Sequence, residues 1–365
     1  MNLEELRREL AQVERQLLEA VSRRQELVRQ IGEYKREHSI PTRDYSQERA
    51  VIERNRSTAI EMGLSEDLAE NLIRMLIGSS LTVQERERVV AHGKGTGKTA
   101  LIIGGNGRMG LWFTRFLSSQ NFSVIVADPS GAPDGIAHLP DWHDADLNCD
   151  LIVVATPLTI ANDILHELAA LKPPGLVFDI ASLKGPVSSG LRALNDAGVD
   201  VTSIHPMFGP SAELLSGKHV IFVDCGAPKA TDTVRALFEP TMAIQVDMGV
   251  DDHDRAIAYV LGLSHAVNIA FFSALAKSGE DAVDLARLSS TTFDSQLKIA
   301  SNVAAENPHL YYEIQALNRY GLDALTALHD VTAYLKETIE TKNEDGFVKI
   351  MTEGGEYLKT LGKGY

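Results

Sequence analysis

The chain has 365 residues, more than one ordinary hydrophobic core organises, so two or three domains are expected. An apolar content of 44% and a charged content of 23% are those of a soluble globular protein, and a net charge of −15 argues against nucleic acid as a partner. No run of about 18 consecutive apolar residues is evident, the N-terminus reads as a charged helix, and the two cysteines make no metal spacing, so a reduced, cytoplasmic, metal-free protein with no membrane span or signal peptide is expected.

Residues 1–92 read as helix throughout. The first helix is expected from Leu3 to His38. A heptad count places Leu3, Leu6, Leu10, Val13, Leu17, Ala20, Leu27, Ile31 and Tyr34 on one seam, interrupted by Arg24. A guanidinium among leucines is costly unless paired, so Arg24 is either a polar register device or part of an anion site in the helical core. Lys35 lies ~16 Å further along the same face, where both long side chains can converge on a small dianion. Arg7, about a quarter-turn round, is better placed to reach a neighbouring protomer's site. Asp44 opens a second helix with Gln47 as its capping-box partner, "MGLSED" ends it, and a third helix runs from Glu66 to Ala91. None can bury its apolar face alone, so they pack together or against another chain.

"HGKGTGK" (92–98) is a glycine-rich, basic linker, with 93–98 as its body. The period then changes. "TALIIGG", "SVIVAD", "DLIVVATP", "GLVFDIAS", "DVTSIHP" and "HVIFVD" read as strands of a parallel, doubly wound sheet over 99–247. From 248 to 365 strand signals vanish and long helices return.

"ALIIGGNGRMG" places Gly105, Gly107 and Gly110, with Asn106, Arg108 and Met109 among them, after a strand and at the opening of a helix. Asp128 ends the next strand, and this context points to a bound dinucleotide. Asp128 would accept from the adenosine ribose and repel a 2′-phosphate, favouring NAD over NADP. Three loops at strand carboxyl ends are chemically loaded: "ATPLT" with Thr156 and Pro157, "DIASLKGP", and "SIHPMFGP". His205, in the last, either stabilises the turn or serves beside a nicotinamide as general base.

"GGNGRMG", "DIASLKGP", "HPMFGP" and "DDHD" together resemble prephenate dehydrogenase, from residue 99 to about 345. The resemblance implies oxidation of prephenate by NAD(P) with loss of CO2, giving 4-hydroxyphenylpyruvate. It gives His205 the ring-hydroxyl proton, places Ser182 and Lys184 beside it, and puts His253 at the substrate; His265 is a weaker match. The family's arginine ahead of the "NPHLY" turn is Asn302 here. Either Lys298 or Arg287 substitutes, or the ring differs, as in arogenate or 4-amino-4-deoxyprephenate.

Residues 1–92 resemble the all-helical chorismate mutases, with Arg7, Arg24, Lys35, Asp44, Glu48, Ser80 and Gln84 matching that family's site in register. The resemblance implies that Arg24, and Arg7 of a partner chain, hold the two carboxylates of chorismate. Lys35 and Gln84 would face the ether oxygen and Glu48 the ring hydroxyl, while Gln47 stands where the family has arginine. Joined, the parts resemble the bifunctional chorismate mutase–prephenate dehydrogenases of tyrosine biosynthesis. That implies an all-α mutase domain (1–92), an α/β Rossmann domain (99–247) and an all-α dimerisation domain (248–365). It further implies a homodimer acting on chorismate and prephenate, with tyrosine as feedback inhibitor. The alternative is a single-activity dehydrogenase whose N-terminal helices only dimerise or regulate.

Overall fold

The structure, a computed structural model, describes residues 2–38 and 40–361. The chain divides into two units, one of Met1–Thr156, Leu165–Ile180 and Leu191–Asp247, the other of Pro157–Ile164, Ala181–Gly190 and Met248–Tyr365. The N-terminal helices and the sheet thus share the first unit.

Helix α1 (Leu3–Glu37) starts with a complete capping box: the Glu5 amide donates to the Asn2 side chain at 2.9 Å, and the Asn2 amide to the Glu5 carboxylate at 2.8 Å. Glu4 and Glu5 in the first turn and Lys35 and Arg36 in the last suit the helix dipole. Asp44 caps α2 (Tyr45–Glu61) by accepting from the amides of Ser46 and Gln47, but the Gln47 side chain does not return the second bond of a capping box. Helix α3 (Glu66–Ala91) packs against both. Only Val28 and Gly32 of α1 are buried, whereas Leu3, Leu6, Leu10, Val13, Leu17, Leu27, Ile31 and Tyr34 are 45–62% exposed. Apart from Arg24, whose side chain reaches α3, the heptad seam is therefore a separate face from the one that meets α3.

The sheet follows as β1 (Thr99–Ile103), α4 (Arg108–Ser119), β2 (Ser123–Ala127), β3 (Ala137–Leu139), β4 (Leu151–Val154), α5 (Leu158–Leu171), β5 (Leu176–Asp179), α6 (Ser188–Asp196), β6 (Val201–Pro206), β7 (His219–Val223), α7 (Pro228–Phe238) and β8 (Ile244–Met248). Its strand order is β3-β2-β1-β4-β5-β6-β7-β8, and the first six strands are parallel, in the order of a dinucleotide-binding fold. Strand β7 corrects the all-parallel expectation: it runs antiparallel to β6, with Ser203 opposite Val223. The intervening segment 207–218 holds no helix, and a parallel return usually needs one. The central strands are buried on both faces, hence the near-continuous apolar runs of β1 and β4, while buried β6 also carries Thr202, Ser203 and His205. Phe113, Phe178, Phe222 and Phe238 fill the core between sheet and helices.

In the second unit α8 (Val250–Ile257) runs through a π-helical turn (Ala258–Leu263) into α9 (Ser264–Ser278), which Gly279 ends at φ 82°. There follow α10 (Ala282–Arg287), α11 (Thr291–Ala304), α12 (Pro308–Leu317), α13 (Gly321–Glu340) and α14 (Glu344–Leu361). By length and composition alone Val250–Ser278 could cross a membrane, with a mean hydropathy of 1.5 over its most apolar window, which corrects the expectation that no such stretch exists. Ser264, His265, Asn268 and Ser273 break up the apolar residues and hide the stretch from a count of consecutive ones. Asn268 is buried there and accepts from Gln296 of α11 at 2.9 Å.

Candidate active sites

The first cluster lies between α1 and α3. Half-buried Arg24 donates to the Leu76 carbonyl at 3.0 Å and to the Ser80 hydroxyl at 2.5 Å; Ser80 donates to the same carbonyl at 2.6 Å. One turn further along each helix, Gln84 donates to the Val28 carbonyl at 3.1 Å. Gly32 lets the helices close there, since a Cβ would sit 3.1 Å from Gln84 Cγ. Among the described residues no carboxylate pairs with Arg24, and burial lowers its pKa. A guanidinium satisfied only by neutral oxygens keeps its charge for an anionic ligand.

Lys35 donates to the Thr42 carbonyl at 2.9 Å and Arg88 to the Thr42 hydroxyl at 3.1 Å. Both line a cavity of about 490 Å³ together with Arg36 and Arg43. Arg43 grips Glu48 bidentately, Nε to Oε1 at 2.8 Å and Nη2 to Oε2 at 3.0 Å. Asp44 remains exposed as the α2 cap, its pKa lowered by the Ser46 hydroxyl and then the Gln47 amide. Arg7 is exposed and lies ~25 Å from Arg24 along the same helix, so its own chain does not bring it to the cluster.

In the sheet the glycine turn closes β1 onto α4. A Cβ on Gly110 would lie 2.1 Å from the Gly104 oxygen, and one on Gly105 2.8 Å from the Val126 side chain. Gly107 caps α4 without a side-chain hydrogen bond, so the helix N-terminus opens directly onto the glycine turn, where its dipole favours an anion. Asp128, 8% exposed, accepts from the Asn106 amide at 3.0 Å and the Ser130 amide at 2.8 Å. It pins the glycine loop while each oxygen keeps a lone pair. Just past β4 the Thr156 hydroxyl is buried with no hydrogen-bond partner. This cradle, its amides, Asp128 and the unused Thr156 hydroxyl fit a nicotinamide dinucleotide. His205 is the penultimate residue of β6, 4% exposed.

In the second unit Pro157 is exposed, Ser182 half-buried and Lys184 fully buried. The Lys184 and Gly185 amides donate to Asp254 at 2.8 and 2.7 Å, and His253 Nδ1 meets the same carboxylate at 2.7 Å. Gly185 permits this approach, because a Cβ would stand 2.8 Å from Asp254 Oδ2. Burial alone would raise the Asp254 pKa, but the bonds from His253 and the two amides outweigh it and hold the group below the ordinary carboxylate range. The carboxylate accepts, so His253 Nδ1 carries the proton. His265 stacks on Tyr311 at 4.1 Å, its pKa lowered by burial. Asn302 is exposed on α11, one turn after exposed Lys298, while Arg287 pairs with Asp284 at 3.3 Å.

Sequence reasoning missed Arg43, Glu85 and Asp254. Buried Glu85 of α3 accepts the Leu215 and Met242 amides, both at 2.7 Å. Only Asp254 left a signal, as the last residue of "DDHD".

The strand order and glycine cradle define a dinucleotide-binding domain, here preceded by a helical domain with a cationic interior. Three family models match in succession: chorismate mutase type II over residues 6–85, the nucleotide-binding domain of prephenate dehydrogenase over 137–246, and its dimerization domain over 250–353. The chain carries domains of these families in that order, which together span most of its length. It is 25% identical over 351 residues to the T-protein of Haemophilus influenzae, covering 95% of this chain and 89% of that one. It is 27% identical over 281 residues to a probable arogenate/prephenate dehydrogenase of Methanocaldococcus jannaschii, covering 74% of this chain and spanning 63% of that protein's length. Prephenate dehydrogenase from A. aeolicus, solved with hydroxyphenyl propionate and NAD+, shares the fold at a TM-score of 0.59 and 21% identity, over 72% of this chain and 98% of that one.

Proposed function

We propose that the helical cluster rearranges chorismate to prephenate, and that the sheet and C-terminal helices oxidise prephenate with NAD to 4-hydroxyphenylpyruvate and CO2. The row Arg24, Ser80 and Gln84 carries the reading: a cation and an amide set between two helices, satisfied by neutral oxygens alone. The rearrangement breaks a C–O bond and forms a C–C bond within one molecule, so it needs a clamp and stabilisation of the ether oxygen rather than a nucleophile. Arg24 holds one carboxylate and Arg7 of a second copy the other. Lys35 and Gln84 donate to the ether oxygen, Glu48 accepts from the ring hydroxyl, and Ser80 and Asp44 orient their neighbours.

In the dehydrogenase, Gly105, Gly107, Gly110, Asn106, Arg108, Met109, Asp128, Thr156 and Pro157 hold the dinucleotide. NAD, when bound, accepts the hydride. His205 takes the ring-hydroxyl proton and returns it to the phenolate left when CO2 departs and its bonding electrons enter the ring. Ser182, Lys184 and His253 bind and orient the substrate. Lys298 supplies the cation for the ring carboxylate that Asn302 lacks. Asp128 favours NAD over NADP through repulsion of a 2′-phosphate. The exposed seam of α1 and the apolar stretch 250–278 are read as homodimer faces of a cytoplasmic enzyme, and tyrosine as its inhibitor. Asn302 also keeps arogenate as a second reading.

The test follows chorismate consumption, then reduced-cofactor formation from prephenate and from arogenate, each with NAD and NADP. Chorismate loss and NADH from prephenate are expected. Turnover of arogenate alone establishes the second reading, and intact chorismate overturns the mutase assignment.

A further inference from the structure

We infer that Arg43 is the positioning residue for Glu48 in the mutase site, and that the neighbouring dinucleotide-binding domain holds Arg43 in place. The inference rests on the mutase reading above.

Arg43 stands between α1 and α2, directly before the cap Asp44. Its guanidinium is engaged at every nitrogen: Nε and Nη2 take both oxygens of Glu48 at 2.8 and 3.0 Å, and Nη1 donates to the Ser216 hydroxyl at 2.5 Å. The Tyr45 ring lies under its carbon at 4.3 Å. The Arg43 and Glu48 side chains are 27% and 20% exposed, and Arg43 lines the same cavity as Lys35.

Ser216 belongs to the segment joining β6 to β7, beside Leu215, whose amide is fixed by Glu85 of α3. The anchor for Arg43 is therefore itself tied down. A planar fork held at one side by a fixed hydroxyl presents its other two donors in one orientation, and a carboxylate gripped by both can lie only in that plane. An ionised carboxylate has about four acceptor positions, so each Glu48 oxygen keeps one for a ligand hydroxyl. A free Glu48 would sweep through many rotamers, whereas a gripped one is already set. Lysine cannot copy this, because its ammonium is a point charge without the fork. Arg43 does not itself contact the substrate; it acts through Glu48.

The test is chorismate kinetics on the full-length protein. Arg43→Ala is expected to lower kcat/KM at least about tenfold, the cost of a loosened binding group. Arg43→Lys should recover only part of that, and Ser216→Ala should lose about threefold while Glu48 stays paired. The deciding readout is the double variant: in a Glu48→Gln background, Arg43→Ala should change kcat/KM by less than about twofold. Dehydrogenase turnover of prephenate should stay at the parent rate in every Arg43 variant. Wild-type kinetics in Arg43→Ala, an undiminished loss in the Glu48→Gln background, or a parallel fall in dehydrogenase activity each overturn the inference. If Arg43→Ala is not recovered folded, Arg43→Lys in the two backgrounds gives the same comparison. A parent protein that leaves chorismate intact overturns instead the mutase reading beneath it.

Discussion

Glu85 and Asp254 are both buried carboxylates that accept two backbone amides, yet their pKa values move in opposite directions. Burial dominates at Glu85 and raises it; at Asp254 the extra bond from His253 tips the balance and lowers it. The consequences for stability are opposite in sign. The Glu85 contribution is present below the ordinary value of 4.5 and lost as pH rises through its raised folded value. The Asp254 contribution is present above 3.8 and lost as pH falls through its depressed folded value. Glu85→Ala strands two amides and should cost about 2–4 kcal/mol in urea unfolding at neutral pH. Asp254→Asn should destabilise at neutral pH by about 2 kcal/mol, and its gap to the parent should narrow below pH 3.8. A gap that widened in acid would refute the assignment of Asp254 as an ionised acceptor. Neither role of Glu85 nor that of Arg43 was legible in the sequence, because their partners lie 130 and 173 residues away. Arg24, Lys35 and the glycine turn stood out because their signals are local, helical spacing and a strand–turn–helix pattern, whereas Gln84 came only from the resemblance to the helical mutases.

Most elements were legible for the same reason, the three N-terminal helices to within a residue or so and the six central strands from their apolar runs. Strand β3, with three residues, and strand β8, with an exposed edge pattern, carry too little periodicity to stand out. The direction of β7 depends on what the connecting segment lacks, which a strand-by-strand reading does not weigh. The α1 seam raises a different matter. Its sevenfold repeat is evident in the sequence, but the described residues of this chain leave it uncovered: eight large apolar residues stay at least 45% exposed along a helix ~52 Å long. On the homodimer reading proposed above, a second copy laid along this seam buries them and brings its Arg7 to the Arg24 cluster. Replacing Leu10 and Leu17 together by glutamate should therefore abolish chorismate turnover and shift the sedimentation coefficient or its concentration dependence. The helices should keep their far-UV signal, since neither residue faces α3. Full mutase activity in that double variant would show that the site is completed within one chain.

At the scale of the molecule, the glycine-rich stretch after α3 turns out to be a packed joint. The Gly95 amide donates to the Gln120 carbonyl at 2.9 Å, and a Cβ at Gly95 would fall 2.2 Å from the Phe122 ring. Gly93 is as tightly placed, its Cβ position 2.6 Å from the Gln120 oxygen. These glycines permit close approach of the backbone to the turn before β2, where composition alone suggested a linker. With Glu85 on Leu215 and Arg43 on Ser216, the joint welds the mutase helices to the nucleotide-binding sheet at three places. The two should unfold together, and the chain supplies its own probes. Both tryptophans lie in the nucleotide-binding domain, Trp112 on α4 and Trp142 after β3, and none in α1–α3, so indole fluorescence reports mainly that domain while chorismate turnover reports the mutase helices. In a urea titration the two signals should coincide for the parent. Gly95→Ala forces the Phe122 contact apart, so mutase activity should be lost at lower urea than the fluorescence change, while the sheet midpoint moves little. If the parent's two curves already separate, the helices are an independent folding unit and the joint transmits no stability. If they coincide in both proteins, the Gly95 contact is dispensable and the Glu85 and Arg43 connections carry the coupling alone.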